Sequence, residues 1–355
     1  MIFDPILDLF RSKAVTIPPL DGAFRPNTLL DDAGVFADLG EADNLVAFGG
    51  KLIASSGNAI YSFAAGREQE MVARFPAPVT ALALDPAGKL AVALETGKLF
   101  VDGVEQTLPV GVGCISALAF AADGTLWLAN GSADYSMANW SSDLMRHGAS
   151  GSIWKRPPGG AQFSQAASGL AFPYGLLPVD GGVIFSESWK HRLVRLDGAN
   201  GARRIVADKL PGYPARLSPA PGGGAWLAFF APRNRLIELV LQETHYRIDM
   251  IEQVPREFWI APALSSSRSF LEPLQCGGIK TMGVHKPWSP SRSYGLAVRL
   301  DENLQPLFSY HSRANGHRHG TCSAVELNGR LLVASRGGDC IVDAGSADIA
   351  QQKVH

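Results

Sequence analysis

Two side chains in this sequence have surroundings suited to moving protons. Glu187 ends the apolar run VIFS and precedes SWKHR. Burial would raise its pKa and a neighbouring cation would lower it again, so it reads either as a general base or as a buried ion pair with Lys190, Arg192 or Arg216 that fixes a loop. His319 follows His317 by two residues. An imidazole there could shuttle protons during ester opening, or serve as a hydrogen-bonding spacer. Histidines two apart also suit a metal, yet no third ligand appears at a recognisable spacing. Arg216 could present a planar fork to a carboxylate, or pair with Glu187 or Asp43. Cys322 reads as a nucleophile if His319 lowers its pKa, and otherwise as a small core residue. Asp43, Asn44, Tyr174, Trp189 and His317 flank apolar runs and could orient a ligand. Ser132, Asp134 and Tyr135 suit loop capping and substrate lining equally. No nucleophile elbow, phosphate loop, HExxH or dinucleotide fingerprint occurs, which leaves redox and phosphoryl-transfer chemistry without support.

These residues lie far apart in sequence, so a repeated scaffold must gather them. One phrase recurs, an apolar strand, a glycine turn and a second apolar strand: NLVAFGGKLIAS from Asn44, VTALALDPAGKLAVAL from Val79, ISALAFAADGTLWLAN from Ile115, YGLLPVDGGVIFSES from Tyr174, ARLSPAPGGGAWLAF from Ala215 and CSAVELNGRLLVAS from Cys322. Gly50, Gly88 and Gly124 recur every 36 to 38 residues, the period of propeller blades. Further strands follow as AIYSF, KLFVDG, SIWKR, RLVRLDG and LAVRL. Four-stranded sheets that cannot bury both faces alone pack radially around a channel, so the repeat predicts an all-β, six-bladed β-propeller as one domain over 1–355. The last repeat runs out near Gly345, and a strand within 1–40, with AVTIPPL from Ala14 as the candidate, is expected to close the ring.

Two insertions break the period. One is GSADYSMANWSSDLMRHGASG in the third blade. The other spans 232–293 within the fifth and carries Trp259, Phe270 and Trp288. Both join second to third strands, which places them at the mouth where innermost strands begin, and the longer is expected to form a lid over the central channel. A purely packing layer is the alternative. Asp43, Asn44, Tyr174, Glu187, Trp189, Arg216, His317 and His319 are predicted to converge at that same mouth.

Composition bounds the partners. The chain has 46% hydrophobic and 18% charged residues, with 38 Gly and 23 Pro, which favours a turn-rich β globule. A formal net charge of −1 gives no broad attraction for nucleic acid or anionic membranes, and a small molecule is the expected partner. The opening MIFDPILDLFRSKAV lacks a signal-peptide core, and four scattered cysteines suggest no disulfide framework, so a reducing, cytoplasmic setting is expected.

The stretches GTLWLANGSADYSMANWSSDLMRHGASGSIWKR, FPYGLLPVDGGVIFSESWKHRLVRL, LPGYPARLSPAPGGGAWLAFFAPRN and YGLAVRLDENLQPLFSYHSRANGHRHGTCSAVELNGRLLVAS together resemble the strictosidine synthase-like family. That resemblance implies a six-bladed propeller related to amine–aldehyde condensing enzymes and to calcium-dependent lactonases of the gluconolactonase and paraoxonase type. Calcium-dependent relatives place a carboxylate at the start of the first inner strand, an Asn in Pro-Asn-Gly and an acid in Pro-Asp-Asn. Here Asp43 keeps the first, but Tyr174 replaces the Asn and Ala215-Arg216 replaces Asp-Asn. The resemblance therefore implies no standard calcium site and no other cofactor, leaving at most an atypical site on Asp43, Asn44 and Glu187. Cys322 falls where the condensing enzymes carry a catalytic Glu, which argues against that chemistry. The leading expectation is a hydrolase acting on a lactone or ester of a small anionic metabolite, with Glu187 or His319 as base and Arg216 and Tyr174 orienting the substrate. Alternatives are a non-catalytic binding propeller and, more remotely, carbon–nitrogen bond formation.

Overall fold

Each of the six apolar phrases forms the two inner strands of a four-stranded antiparallel sheet. The structure, a computed structural model, describes residues 17–64, 68–266, 269, 271–272 and 291–347, with two-residue strands at Lys280–Thr281 and Val284–His285. Phe270, Cys276 and Trp288 lie outside the described residues. The innermost strands are Ala42–Phe48, Val79–Leu84, Ile115–Phe120, Pro173–Val179, Gly212–Pro219 and Thr321–Leu327 for blades one to six. Turn glycines such as Gly88 and Gly124 hold φ of +88° and +84°, which side chains with a Cβ rarely adopt.

The ring closes as a shared sheet, but with a different strand from the sequence candidate. Gly34–Asp38 pairs antiparallel with Cys340–Ser346, matching Gly34 to Asp343 and Asp38 to Cys340. Residues 14–16 of AVTIPPL lie outside the described residues, and 17–20 form no strand. The later segment wins because VFAD can set partly buried side chains on the sixth blade, whereas a Pro-Pro pair cannot donate to a ladder.

Neighbouring blades meet through apolar faces. Leu177, Ile184 and Leu193 of blade four pack on Leu227, Phe229, Leu296 and Val298 of blade five, and equivalent clusters fill the other seams. Each fully buried large side chain contributes about 1.5–3 kcal/mol. The innermost strands are sheet edges, so their free carbonyls need partners. Hydroxyls supply them across seams: Ser116 Oγ donates to the Pro173 carbonyl, Ser186 Oγ to that of Ala215 and Ser218 Oγ to that of Ala324.

Both insertions contain helices: α1 (Trp140–Met145) in blade three, and α2 (Arg235–Gln242) and α3 (Thr244–Gln253) in blade five. Leu144 and Met145 from the first join Val240, Met250 and Trp259 from the second in one apolar cluster with Tyr174, Ala215 and Cys322 of the innermost strands. His147 Nε2 also meets the Leu241 carbonyl at 2.9 Å. The described parts of the insertions thus form a layer at the mouth where innermost strands begin, here called the upper mouth. Among the described residues no helix is long and apolar enough to cross a membrane.

The segment leading to the closing strand is clamped on blade five. The Asn27 side chain accepts from the His311 backbone N–H at 3.0 Å, and Leu30 N–H donates to the His311 carbonyl at 3.0 Å. The His311 ring is fully buried between Tyr294 and Ser309, and burial drives its pKa down to about 3. Unfolded chains bind a proton there below about pH 6.5, whereas the fold does not until about 3. Stability contributed by this group is therefore complete above pH 6.5 and is lost as the pH falls toward 3. Chemical-denaturation midpoints should drop across that window, and His311→Gln should flatten the drop; an identical pH slope in both proteins would reject this assignment.

Candidate functional site

At the upper end of the channel Arg216 reaches from blade five across the axis to blades one and two. Its Nε donates to Asn44 Oδ1 at 2.8 Å and its Nη2 to the Thr80 carbonyl at 2.6 Å. Nη1 lies 3.4 Å from Asp43 Oδ1, and the guanidinium sits 4.9 Å over the Tyr174 ring. Local backbone detail makes this reach possible. A register break between Asp43 and Val46 leaves Asn44 at φ +53°, a conformation Asn tolerates better than most residues. Asn44 Nδ2 then donates to Ser55 Oγ at 2.8 Å, which turns Oδ1 toward the guanidinium. On the other side, a Cβ on Gly175 would lie 2.3 Å from the Ala215 carbonyl oxygen, so only glycine lets the strand bearing Arg216 come this close to blade four.

Electrostatics keep the strut charged. Burial lowers the Arg216 pKa, but Asp43 and Tyr174 more than offset it and the pKa stands above its ordinary value. Arg336 contacts the same carboxylate, with Nη1 3.8 Å from Asp43 Oδ2, and its pKa is also raised despite burial. Two guanidiniums thus share one buried aspartate. Burial raises the Tyr174 phenol and pushes the Cys322 thiol up to about 12, so both stay protonated, and Cys322 Sγ donates to the Gly320 carbonyl at 3.3 Å. Arg216 Nη1 and Thr80 Oγ1 are buried without a hydrogen-bond partner.

Of the residues predicted to converge, Asp43, Asn44, Tyr174 and Arg216 meet here, joined by Cys322, which was not among them. Glu187 does not reach Arg216. Its Oε1 accepts from Ala171 N–H at 2.9 Å and meets Lys190 Nζ at 3.1 Å, while Oε2 binds Arg192 at 2.6 Å. His319 is fixed between Ser293 Oγ and the Arg313 carbonyl, both at 2.8 Å, and its nearest predicted companion His317 is exposed. Trp189 stacks on Phe172 at 4.4 Å and donates from Nε1 to Asp143 Oδ1 at 2.6 Å. Asp143 is buried, which raises its pKa even though Trp189 and Ser132 hydrogen-bond to it.

Sequence reasoning missed Arg336, Thr80 and Asp143. Arg336 was findable: it directly follows the second strand of blade six, one place beyond the equivalent of Glu187 in blade four. Thr80 contributes a carbonyl, which no side-chain pattern reveals.

Below the strut the channel opens into a cavity of about 580 Å³. Asn44, Arg216 and Ser323 line its inner end, and the walls are mostly Leu, Val, Ala and Pro from the innermost strands. Ala122 and Pro221 belong to its other end, which opens at the lower mouth where innermost strands finish.

No family model matches the chain, and no curated protein matches it. Solved structures do. A gluconolactonase from Xanthomonas campestris aligns over 88% of this chain and 90% of its own with a TM-score of 0.56 at 15% identity. The calcium-binding protein regucalcin from Agrobacterium tumefaciens aligns over 88% and 93%, with a TM-score of 0.56 at 12% identity. A putative gluconolactonase aligns over 88% and 90%, with a TM-score of 0.54 at 12% identity. At such identities these likenesses show the fold alone, the six-bladed propeller.

Calcium requires six to eight converging oxygens. The upper end of this channel instead points two guanidiniums at its one carboxylate, and among the described residues no group of three His, Cys, Asp or Glu could hold a metal. The donor set does not fit a divalent cation. Glu187, which was to complete an atypical site, is committed to Lys190 and Arg192.

Removing one partner of a buried ion pair leaves an uncompensated charge, at a cost of about 3–5 kcal/mol. Asp43→Asn strands two guanidiniums and Arg216→Met leaves Asp43 with Arg336 alone, so Asp43→Asn should be the more destabilising in urea titrations. The reverse order would refute the shared-aspartate arrangement.

Proposed function

We propose that this chain is a lactonase-type hydrolase that opens a lactone or ester of a small molecule, with a guanidinium polarising the carbonyl. The observation that carries this reading is Arg216, a buried cation that lines the inner end of a cavity and shares its counter-ion Asp43 with Arg336. A fixed donor at low dielectric is suited to charge that develops on a carbonyl oxygen. The shared fold with gluconolactonases supports the reaction class.

Glu187 and His319 are occupied by neighbouring loop groups, so Asp43, ion-paired to the same guanidinium, takes the base role. In this reading Asp43 takes a proton from water as the oxygen adds to the carbonyl carbon. Arg216 holds the resulting oxyanion. The ring carbon–oxygen bond then breaks, and the leaving oxygen recovers the proton from Asp43 to give a hydroxycarboxylic acid, which releases its carboxyl proton to solvent. A non-catalytic binding propeller is the second reading, favoured by the engagement of both Asp43 oxygens with cations.

Acid release in a pH-stat from a panel including gluconolactone and simple aliphatic lactones tests this. Turnover should persist in chelator and fall roughly 10²–10³-fold in Arg216→Lys. Saturable thermal stabilisation by a ligand without any acid release from the panel would favour the binding reading.

A further inference from the structure

The cavity below the strut has a polarity of its own. Its inner end carries a guanidinium that Asp43 must share with Arg336, so positive charge is left over there. Its walls are apolar, including Leu82, Leu118, Leu176, Leu217 and Val325. Glu326 also lines it, near the end of its innermost strand, and accepts from Trp226 Nε1 at 3.2 Å. A cation deep, hydrocarbon between and an acid toward the opening form an axial gradient. A volume of about 580 Å³ is enough for a whole small molecule.

We infer that the lower mouth admits an amphiphilic monocarboxylate, head inward to Arg216 and alkyl tail along the channel wall. Glu326 enforces the direction, because a carboxylate head lodged near the opening would face an acidic side chain, whereas at the inner end it meets the Arg216 guanidinium that lines the cavity and shares its one counter-ion with Arg336. The upper mouth offers no equivalent, since Phe172, Tyr174, Tyr213 and Phe230 pack against one another there beneath the insertions. This rests on the Arg216 site of the preceding section but requires no turnover. It specifies instead which face the ligand uses and which chemistry extends beyond its reacting group.

Isothermal titration of the full chain with butanoate, octanoate and dodecanoate, and with octanamide and octylammonium as charge controls, tests it. Binding should tighten by roughly fourfold per methylene buried, up to the length that fills the channel. Octanoate should bind best of the eight-carbon set and octylammonium should not bind. Ala122→Trp, an exposed change at the lower mouth, should weaken dodecanoate far more than butanoate. Affinity independent of chain length, equal binding of octylammonium, or an unaltered series in Ala122→Trp would overturn the inference. Octanoate binding without hydrolysis of any lactone would instead sink only the hydrolase reading, and hydrolysis of short lactones with no chain-length effect would sink only this one.

Discussion

A guanidinium buried on the axis of a ring of sheets is the constraint around which the centre of this protein is organised. Placing a charge there is costly unless it is paired and hydrogen-bonded. Arg216 is compensated by groups from two other blades, Asp43 and Asn44 from the first and the Thr80 carbonyl from the second. One side chain therefore ties three blades together at the upper end of the channel. The left-handed Asn44 and the Cβ-free Gly175 are local consequences of that requirement.

The strut also divides the channel into two unlike environments. Above it, aromatic rings and helices α1 to α3 exclude water and stabilise the neutral forms of Tyr174 and Cys322. Below it, apolar walls lead to the lower mouth. Any chemistry at Arg216 would thus be fed from one side and insulated on the other, the setting in which fixed dipoles and charges act most strongly on a bound group.

Other ionisable groups of the upper mouth serve the scaffold. Glu187 fixes the 3-10 turn Ser188–Lys190 through Lys190, Arg192 and the Ala171 amide, and His319 ties the fifth-blade segment at Ser293 to the Arg313 carbonyl. In both, the neighbouring polar and charged groups are the partners that occupy them. A carboxylate at a strand end says that something must compensate it, and says nothing of whether the partner is a substrate or an arginine.

The repeat alone sufficed for the blade count and the pairing of inner strands, because alternation and turn glycines are local properties of the chain. The same periodic logic pointed to Asp43, Asn44, Tyr174 and Arg216 at one end, since position within a blade is set by register. Partner choice was not legible. Whether Arg216 pairs with Glu187 or Asp43 depends on the direction a long side chain takes across the axis, which follows from the bulges at Asp43–Val46 and Pro214–Leu217 and from contacts with blades many residues away. The closing strand was likewise decided in three dimensions, because only a folded sixth blade offers the edge that Gly34–Asp38 completes.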